Sequence, residues 1–269
     1  MFSEQIIVIT GGSSGLGLEL GRRLAAEGAR LILIARDRQK LDRAAQELRS
    51  CHGGTHVSVE SLDVCDEAAT NACMQHIADV HGRIDMLINS AGILREGYFE
   101  KLALMDFRDV MEVNYFGLLI ATRAALPHLK ASRGRLVNIS SMAGLAGAFG
   151  YTPYCASKHA LVGLTESLRY ELEPEGIKVH LVCPGEFDSP MVDELECYRT
   201  PENRAHAQTI PKATVATIAD ATLDGIRADR FLIVTGRATR LAAFANRHFP
   251  ALTRVFGDRT IRRVRRTRA

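Results

Sequence analysis

The sequence contains no CxxC pair and no histidine cluster beside its six cysteines, Cys51, Cys65, Cys73, Cys155, Cys183 and Cys197. Such spacing offers neither a disulfide framework nor a zinc ligand set. Reduced thiols in a cytoplasmic protein are expected, and no metal. No apolar stretch reaches the roughly 20 residues that a bilayer-spanning helix requires. The first residues run straight into a strand pattern, without the features of a secretory signal. Internal repeats and linkers are also lacking. Acid is nearly missing from the C-terminal end: from Arg237 onward ten arginines face one acid, Asp258, although the whole chain carries only +3. The chain before Arg237 is therefore net acidic. With the basic character confined to a tail poor in aromatics, no nucleic-acid partner is expected.

What is present is a strict alternation. Ile6–Ile9, Leu31–Ile34, His56–Leu62, Met86–Ile88, Leu136–Ile139, Val179–Val182 and Phe231–Val234 read as short strands. Between them lie helical patterns, among them Leu16–Glu27, Arg38–Arg49, Glu67–Val80 and two long ones over Asp106–Leu129 and Tyr154–Glu173. Continuous apolar strands separated by helices predict an α/β fold: a single Rossmann-type, doubly wound domain with about seven parallel strands and helices on both faces. With 269 residues the chain suits one such domain. Residues 1–236 form it, and 237–269 form a basic C-terminal extension. The polar segment 186–212, with Pro190, Pro201 and Pro211, follows the sixth strand and reads as a substrate loop.

The first strand ends in Thr10-Gly11-Gly12-Ser13-Ser14-Gly15-Leu16-Gly17 and a helix follows. Glycines permit a tight turn and close approach of the backbone, and a helix N-terminus presents amide donors to a pyrophosphate. The second strand ends in Arg36, with Arg38 and Lys40 close behind. An acid at this place would accept from the ribose 2′-hydroxyl of NAD. An arginine pairs instead with the 2′-phosphate, so NADP(H) is the expected cofactor, with Ser13 as a further donor.

Ser141 stands at the end of the fifth strand, and Tyr154 and Lys158 follow within Tyr-Cys-Ala-Ser-Lys. On a helix, residues i and i+4 share a face. A lysine ammonium beside a tyrosine favours the phenolate and lowers its pKa, which makes the pair a usable general acid/base. Ser141 can donate to a carbonyl oxygen.

Taken together, these motifs resemble the short-chain dehydrogenase/reductase family from about Gln5 to Val234. Further matches are Leu-Asp-Val at 62–64, Asn-Ser-Ala-Gly at 89–92, Val-Asn-Tyr-Phe-Gly at 113–117, Asn-Ile-Ser-Ser at 138–141 and Pro184-Gly185. The resemblance implies a catalytic tetrad of Asn114, Ser141, Tyr154 and Lys158, with Asn114 holding a water that links Lys158 to solvent. Lys158 would also hold the nicotinamide ribose beside Tyr154. Asp63 and Val64 would flank the adenine, and Asn89, Ala91 and Gly92 would line the cofactor groove. Phe187 and Ser189, after Pro184-Gly185, would meet the carboxamide. Two positions depart from the family pattern, Ser90 for Asn and Ser189 for Thr. The implied reaction is hydride transfer between a ketone and a secondary alcohol.

Within the family the sequence resembles 3-ketodihydrosphingosine reductases, although that group commonly lacks the Pro-Gly pair. A lipid ketone is thus the expected substrate, with a steroid, retinoid, sugar or acyl thioester as alternatives. A non-catalytic dinucleotide sensor is the rival of another class, opposed by the intact Tyr154 and Lys158. Family resemblance also implies a homodimer or homotetramer. In the tail, Leu241, Phe244, Ala245, Leu252, Val255 and Phe256 project to one helical face and Arg240, Arg247 and Arg254 to another, with a break at Pro250. Such a segment reads either as a membrane-surface element, peripheral at the cytosolic face, or as a helix docked on the body.

Overall fold

The computed structural model describes residues 1–51 and 56–267. Seven strands form one all-parallel sheet: β1 (Ile6–Thr10), β2 (Arg30–Ala35), β3 (Val57–Ser61), β4 (Met86–Asn89), β5 (Arg135–Ile139), β6 (Lys178–Cys183) and β7 (Leu232–Val234), in the order β3-β2-β1-β4-β5-β6-β7. The order reverses between β1 and β4, and ligands of such sheets bind in the crevice beyond the strand ends at that switch point.

Successive strand residues point to opposite faces, so the apolar strands feed two cores. Ile7, Ile9, Leu31, Leu33, Val137 and Val182 pack on one face with Leu20 and Leu24 of α1 (Gly15–Ala26), Leu41 and Leu48 of α2 (Arg38–Cys51), and a helix near the C-terminus described below. Ile6, Val8, Ile32, Ile34, Leu87, Leu136 and Val179 fill the other with α3 (Glu67–His81). The Asp66 side chain caps α3, accepting from Ala69 N at 2.9 Å. Left-handed Gly82 (φ 76°) ends the helix.

The segment read as one helix over Asp106–Leu129 is three pieces: α4 (Leu104–Met111), a π-helical stretch over Glu112–Gly117, and α5 (Leu118–Ser132). A π turn adds a residue to the helical repeat, so a 3.6-residue periodicity cannot reveal it. Its effect is to turn Asn114 fully inward. α6 (Thr152–Leu172) carries the Tyr/Lys pair. Leu161 is buried and Leu168 packs on the second core, so core packing accounts for both.

The segment 186–212 holds two short helices, α7 (Pro190–Glu196) and α8 (Pro201–Ala207), and α9 (Val215–Arg227) follows and closes the first core. The tail folds into α10 (Arg237–His248) and α11 (Pro250–Arg266), broken at Phe249-Pro250 as the proline requires. α11 docks against α8, which realises the docked reading of this segment. Cys65, Cys73, Cys155, Cys183 and Cys197 are free thiols, and the Cys51 side chain lies outside the described residues.

Candidate active site

The loop after β1 is shaped by contacts that only glycine permits. Gly11 has φ 68°, and a Cβ there would lie 2.7 Å from the Ala91 nitrogen. A Cβ on Gly17 would sit 2.4 Å from the Gly11 carbonyl oxygen. Thr10 Oγ1 accepts from the backbone N–H groups of Ser90 (3.1 Å) and Ala91 (3.3 Å), so the ends of β1 and β4 are tied across the switch point. Ser14 precedes α1 without capping it, and no acid stands in the first turn. The first helical N–H groups have no intrahelical partner and carry the positive end of the dipole. Ser13 and Ser14 reach the surface of this loop, whereas Leu16 turns its side chain into the core and offers only its backbone. A Cβ on Gly15 would meet nothing nearer than Ser189 Cβ at 3.9 Å, which places Ser189 across from the loop. This open cradle of amides fits a pyrophosphate.

At the end of β2, exposed Arg36 lies 3.8 Å from Asp63. Asp63 also accepts from Cys65 N at 3.0 Å. Lys40, in the first turn of α2, pairs with Asp37 at 3.8 Å, and Arg38 pairs with Asp42. Arg36 is thus the cation nearest the adenosine side of the crevice, with Lys40 one helical turn behind. Val64 is buried and packs so closely on Gly117 that a Cβ there would lie 2.7 Å from Val64 Cγ2.

Asn89 does not face the groove. Its amide donates to Thr122 Oγ1 (2.9 Å) and to Asn138 Oδ1 (3.0 Å), and Asn138 donates to Thr165 Oγ1 (3.0 Å). Asn89 instead fastens β4 to β5 and α5. The reason is register: Asn89 and Asn138 are direct partners across the two strands.

Ser141 is extended, and its Oγ accepts from Ala143 N at 3.1 Å. That contact occupies an oxygen lone pair and leaves the hydroxyl proton available for a substrate oxygen. Lys158 is buried and donates to the Ile139 carbonyl at 3.0 Å, and its ammonium lies 5.6 Å from the Tyr154 ring centre. Burial lowers the Lys158 pKa to about 8. Burial also pushes Tyr154 up to about 12, with the neighbouring Ser141 hydroxyl pulling the other way. Burial of the phenol thus sets the direction of the Tyr154 shift, opposite to the depression expected from Lys158.

Asn114 accepts from Ile93 N (2.8 Å) and donates to Ile93 O (3.0 Å) and Ser157 Oγ (3.0 Å). Ser157 in turn donates to the Tyr154 carbonyl at 2.8 Å. Both amide hydrogens of Asn114 are thus committed to fixing the strand end and α6. Gly92 is close by, since a Cβ there would lie 3.1 Å from Asn114 Oδ1.

On the β6 side, the Pro184 carbonyl accepts from Met142 N at 2.7 Å. A Cβ on Gly185 would lie 2.6 Å from Thr239 Oγ1 of α10. Ser189 Oγ caps α7. Phe187 bridges to Ala213 through its backbone, and its half-buried side chain packs against the first core.

Sequence reasoning missed the latch that holds the substrate loop. Buried Glu96 accepts from Thr200 N (3.1 Å) and Thr200 Oγ1 (2.6 Å). Tyr98 donates to buried Glu202 at 2.9 Å, and Asn203 donates to the Phe149 carbonyl at 2.6 Å. Arg199, with its side chain 2 % exposed, binds Glu186 through both nitrogens. Partners 104 positions apart leave no signal at local spacing. Tyr154 and Met191 pack against a small buried apolar cluster of Leu94, Ala143, Tyr151 and Leu195. Among the described residues no group of three or more His, Cys, Asp or Glu could hold a metal ion.

A family model described as short chain dehydrogenase matches residues 5–198. A putative ketoacyl reductase of granaticin polyketide synthase from Streptomyces violaceoruber is 37% identical over 196 residues, covering 72% of this chain and 71% of that protein. A 3-dehydrosphinganine reductase from Danio rerio is 38% identical over 188 residues, 68% of this chain and 57% of its own length. Among solved structures, a short chain dehydrogenase/reductase from Burkholderia phymatum in complex with NAD superposes with a TM-score of 0.82 at 26% identity. The match covers 94% of this chain and 96% of that one. Matched motifs, sheet order and relatives agree, and the chain belongs to the short-chain dehydrogenase/reductase family of oxidoreductases.

Proposed function

We propose that this protein is an NADPH-dependent reductase that converts a ketone on a hydrophobic substrate, such as 3-ketodihydrosphingosine, to the secondary alcohol. The carrying observation is that Lys158 lies against the Tyr154 ring, with Ser141 at the end of the neighbouring strand and Tyr154 packed on the apolar cluster of Leu94, Tyr151 and Leu195. When bound, the nicotinamide supplies the hydride that reaches the carbonyl carbon. Ser141 exchanges its hydrogen bond with Tyr154 for one to the carbonyl oxygen and stabilises the charge that develops there. Tyr154, held protonated at neutral pH by its burial, delivers its proton to that oxygen. The Lys158 ammonium lies against the same ring and stabilises the phenolate that remains, and solvent returns the proton.

NADPH is favoured over NADH because the end of β2 presents Arg36 where an acid would read the ribose. Relatives called 3-dehydrosphinganine reductase in Danio rerio and 3-ketodihydrosphingosine reductase in Bos taurus support the lipid substrate. This chain spans 57% of their length. The relatives that are ketoacyl reductases support an acyl thioester as the second reading.

The test is oxidation of NADPH, beside NADH, with 3-ketodihydrosphingosine in mixed micelles and with a β-ketoacyl thioester. Turnover of the sphingoid ketone with NADPH, reduced about 10²–10⁴-fold in Tyr154→Phe with cofactor affinity unchanged, is the expected result. Turnover of the thioester alone would overturn the lipid assignment.

A further inference from the structure

The hairpin of α10 and α11 is folded the wrong way round for a helix pair that merely covers the body. Its docked side is modest: Thr253, Gly257, Thr260, Ile261 and Val264 are half-buried and fall at helical spacing along α11, the helix that packs on α8. The large apolar residues point outward. Leu241 is 68% exposed, Phe244 55%, Phe249 55%, Leu252 69% and Phe256 60%. Phe244 and Phe249 stack edge to face with ring centres 6.4 Å apart, so the two helices share one apolar corner at their junction. A contiguous patch of this kind marks an interaction surface, whereas scattered apolar residues would need no explanation.

On the same two helices the charge is almost all positive. Arg240, Arg247 and Arg254 are exposed, and α11 continues into exposed Arg259, Arg262 and Arg263, with Asp258 the one acid. A second copy of the chain would bring this patch against itself about a two-fold axis and set arginine on arginine with one acid, Asp258, to compensate. A bilayer surface with anionic lipid meets both features at once. Its acyl region takes the aromatic and leucine side chains, and its phosphates pair with the guanidinium groups. No helix among the described residues is long and apolar enough to cross a membrane. An element lying in the interface needs neither property.

We propose that the α10–α11 hairpin is an interfacial membrane-binding element, with Phe244, Phe249, Leu252 and Phe256 entering the headgroup–acyl boundary of an anionic bilayer. The hairpin is fastened to the substrate side of the active site. Asn246 donates to the Leu145 carbonyl at 2.7 Å, and the Arg265 guanidinium lies over Phe149 at 5.8 Å and 3.6 Å from Glu202. Seating the hairpin on a bilayer therefore brings the loop after Ser141 and the lid helix α8 to the lipid surface, where an amphiphile could pass to the site without crossing water.

The test is co-flotation of the full chain with vesicles of phosphatidylcholine containing phosphatidylglycerol, and with phosphatidylcholine alone. Bound protein is read on the gel, and light scattering gives the mass of the free protein. Binding to the anionic vesicles is expected, weakened by salt. Loss by more than about tenfold is expected in a Phe244→Ser/Phe249→Ser/Phe256→Ser variant. These side chains are exposed, so the variant keeps its thermal transition and its NADPH affinity, and both are measured alongside. Wild type that stays unbound with both vesicles overturns the proposal. So does a wild-type dimer that the variant converts to monomer without any vesicle binding, which would assign the patch to a second copy. Flotation requires no turnover, so its outcome is independent of the substrate assignment.

Discussion

The two sides of the crevice are built by different physics. On the cofactor side the chain is held by shape: a fully buried β1 and glycines at Gly11 and Gly17 where a Cβ would meet backbone under 3 Å away. On the substrate side it is held by buried charge and hydrogen bonds: Glu96 on Thr200, Glu202 on Tyr98, and Arg199 on Glu186. Packing of the first kind is tolerant of nothing larger, and it fixes a surface that must meet an unchanging pyrophosphate. Polar latches of the second kind cost desolvation and give little net stability, but each is lost as a unit when one partner goes.

The contrast can be broken from either side. Gly11→Ala should have the larger effect, since it forces a side chain into φ 68° and into contact with the Ala91 nitrogen. A loss of about 2–4 kcal/mol in denaturant unfolding is expected, together with weakened cofactor binding. Glu96→Ala should cost somewhat less, about 1–3 kcal/mol, by leaving the Thr200 N–H and hydroxyl without a buried acceptor. Its signature is kinetic: KM for the ketone should rise while the Kd for cofactor stays near wild type. Equal weakening of both would show that the two sides are not separable.

Arg36→Ser sharpens the comparison within the cofactor side. Removing one charge-assisted contact should weaken NADPH by about tenfold to a hundredfold, with NADH nearly unaffected, as measured by fluorescence titration. The smallest effect is that of pH. Burial lowers the Lys158 pKa to about 8, so the ammonium is present below that value and is lost as pH rises through it. Ketone reduction should hold level near pH 7 and decline above about 8. Lys158→Arg, which does not titrate in this range, should remove the decline from whatever activity remains.

Much of this was legible in the sequence because it repeats at short range. Short runs of three to seven residues announced the strands, and Gly11 to Gly17, Ser141, Tyr154 and Lys158 lie at the strand ends and in the first turns of helices where their spacing put them. Several assignments were not legible. Asn89 and Asn138 hold each other because β4 and β5 pair in one register. The π turn that buries Asn114 changes the helical repeat itself. The pKa of Tyr154 depends on how completely the site is covered, which no spacing encodes.

By itself the sequence determined the alternating α/β order, the phosphate loop, the Tyr154/Lys158 pair and the amphipathic, arginine-rich tail, because each rests on residue type and on periods of two to four. Only the tertiary structure decided which partners close the lid and which face of the tail meets the body. Those outcomes depend on groups about a hundred positions apart arriving at one place, and chain connectivity gives no local trace of that meeting.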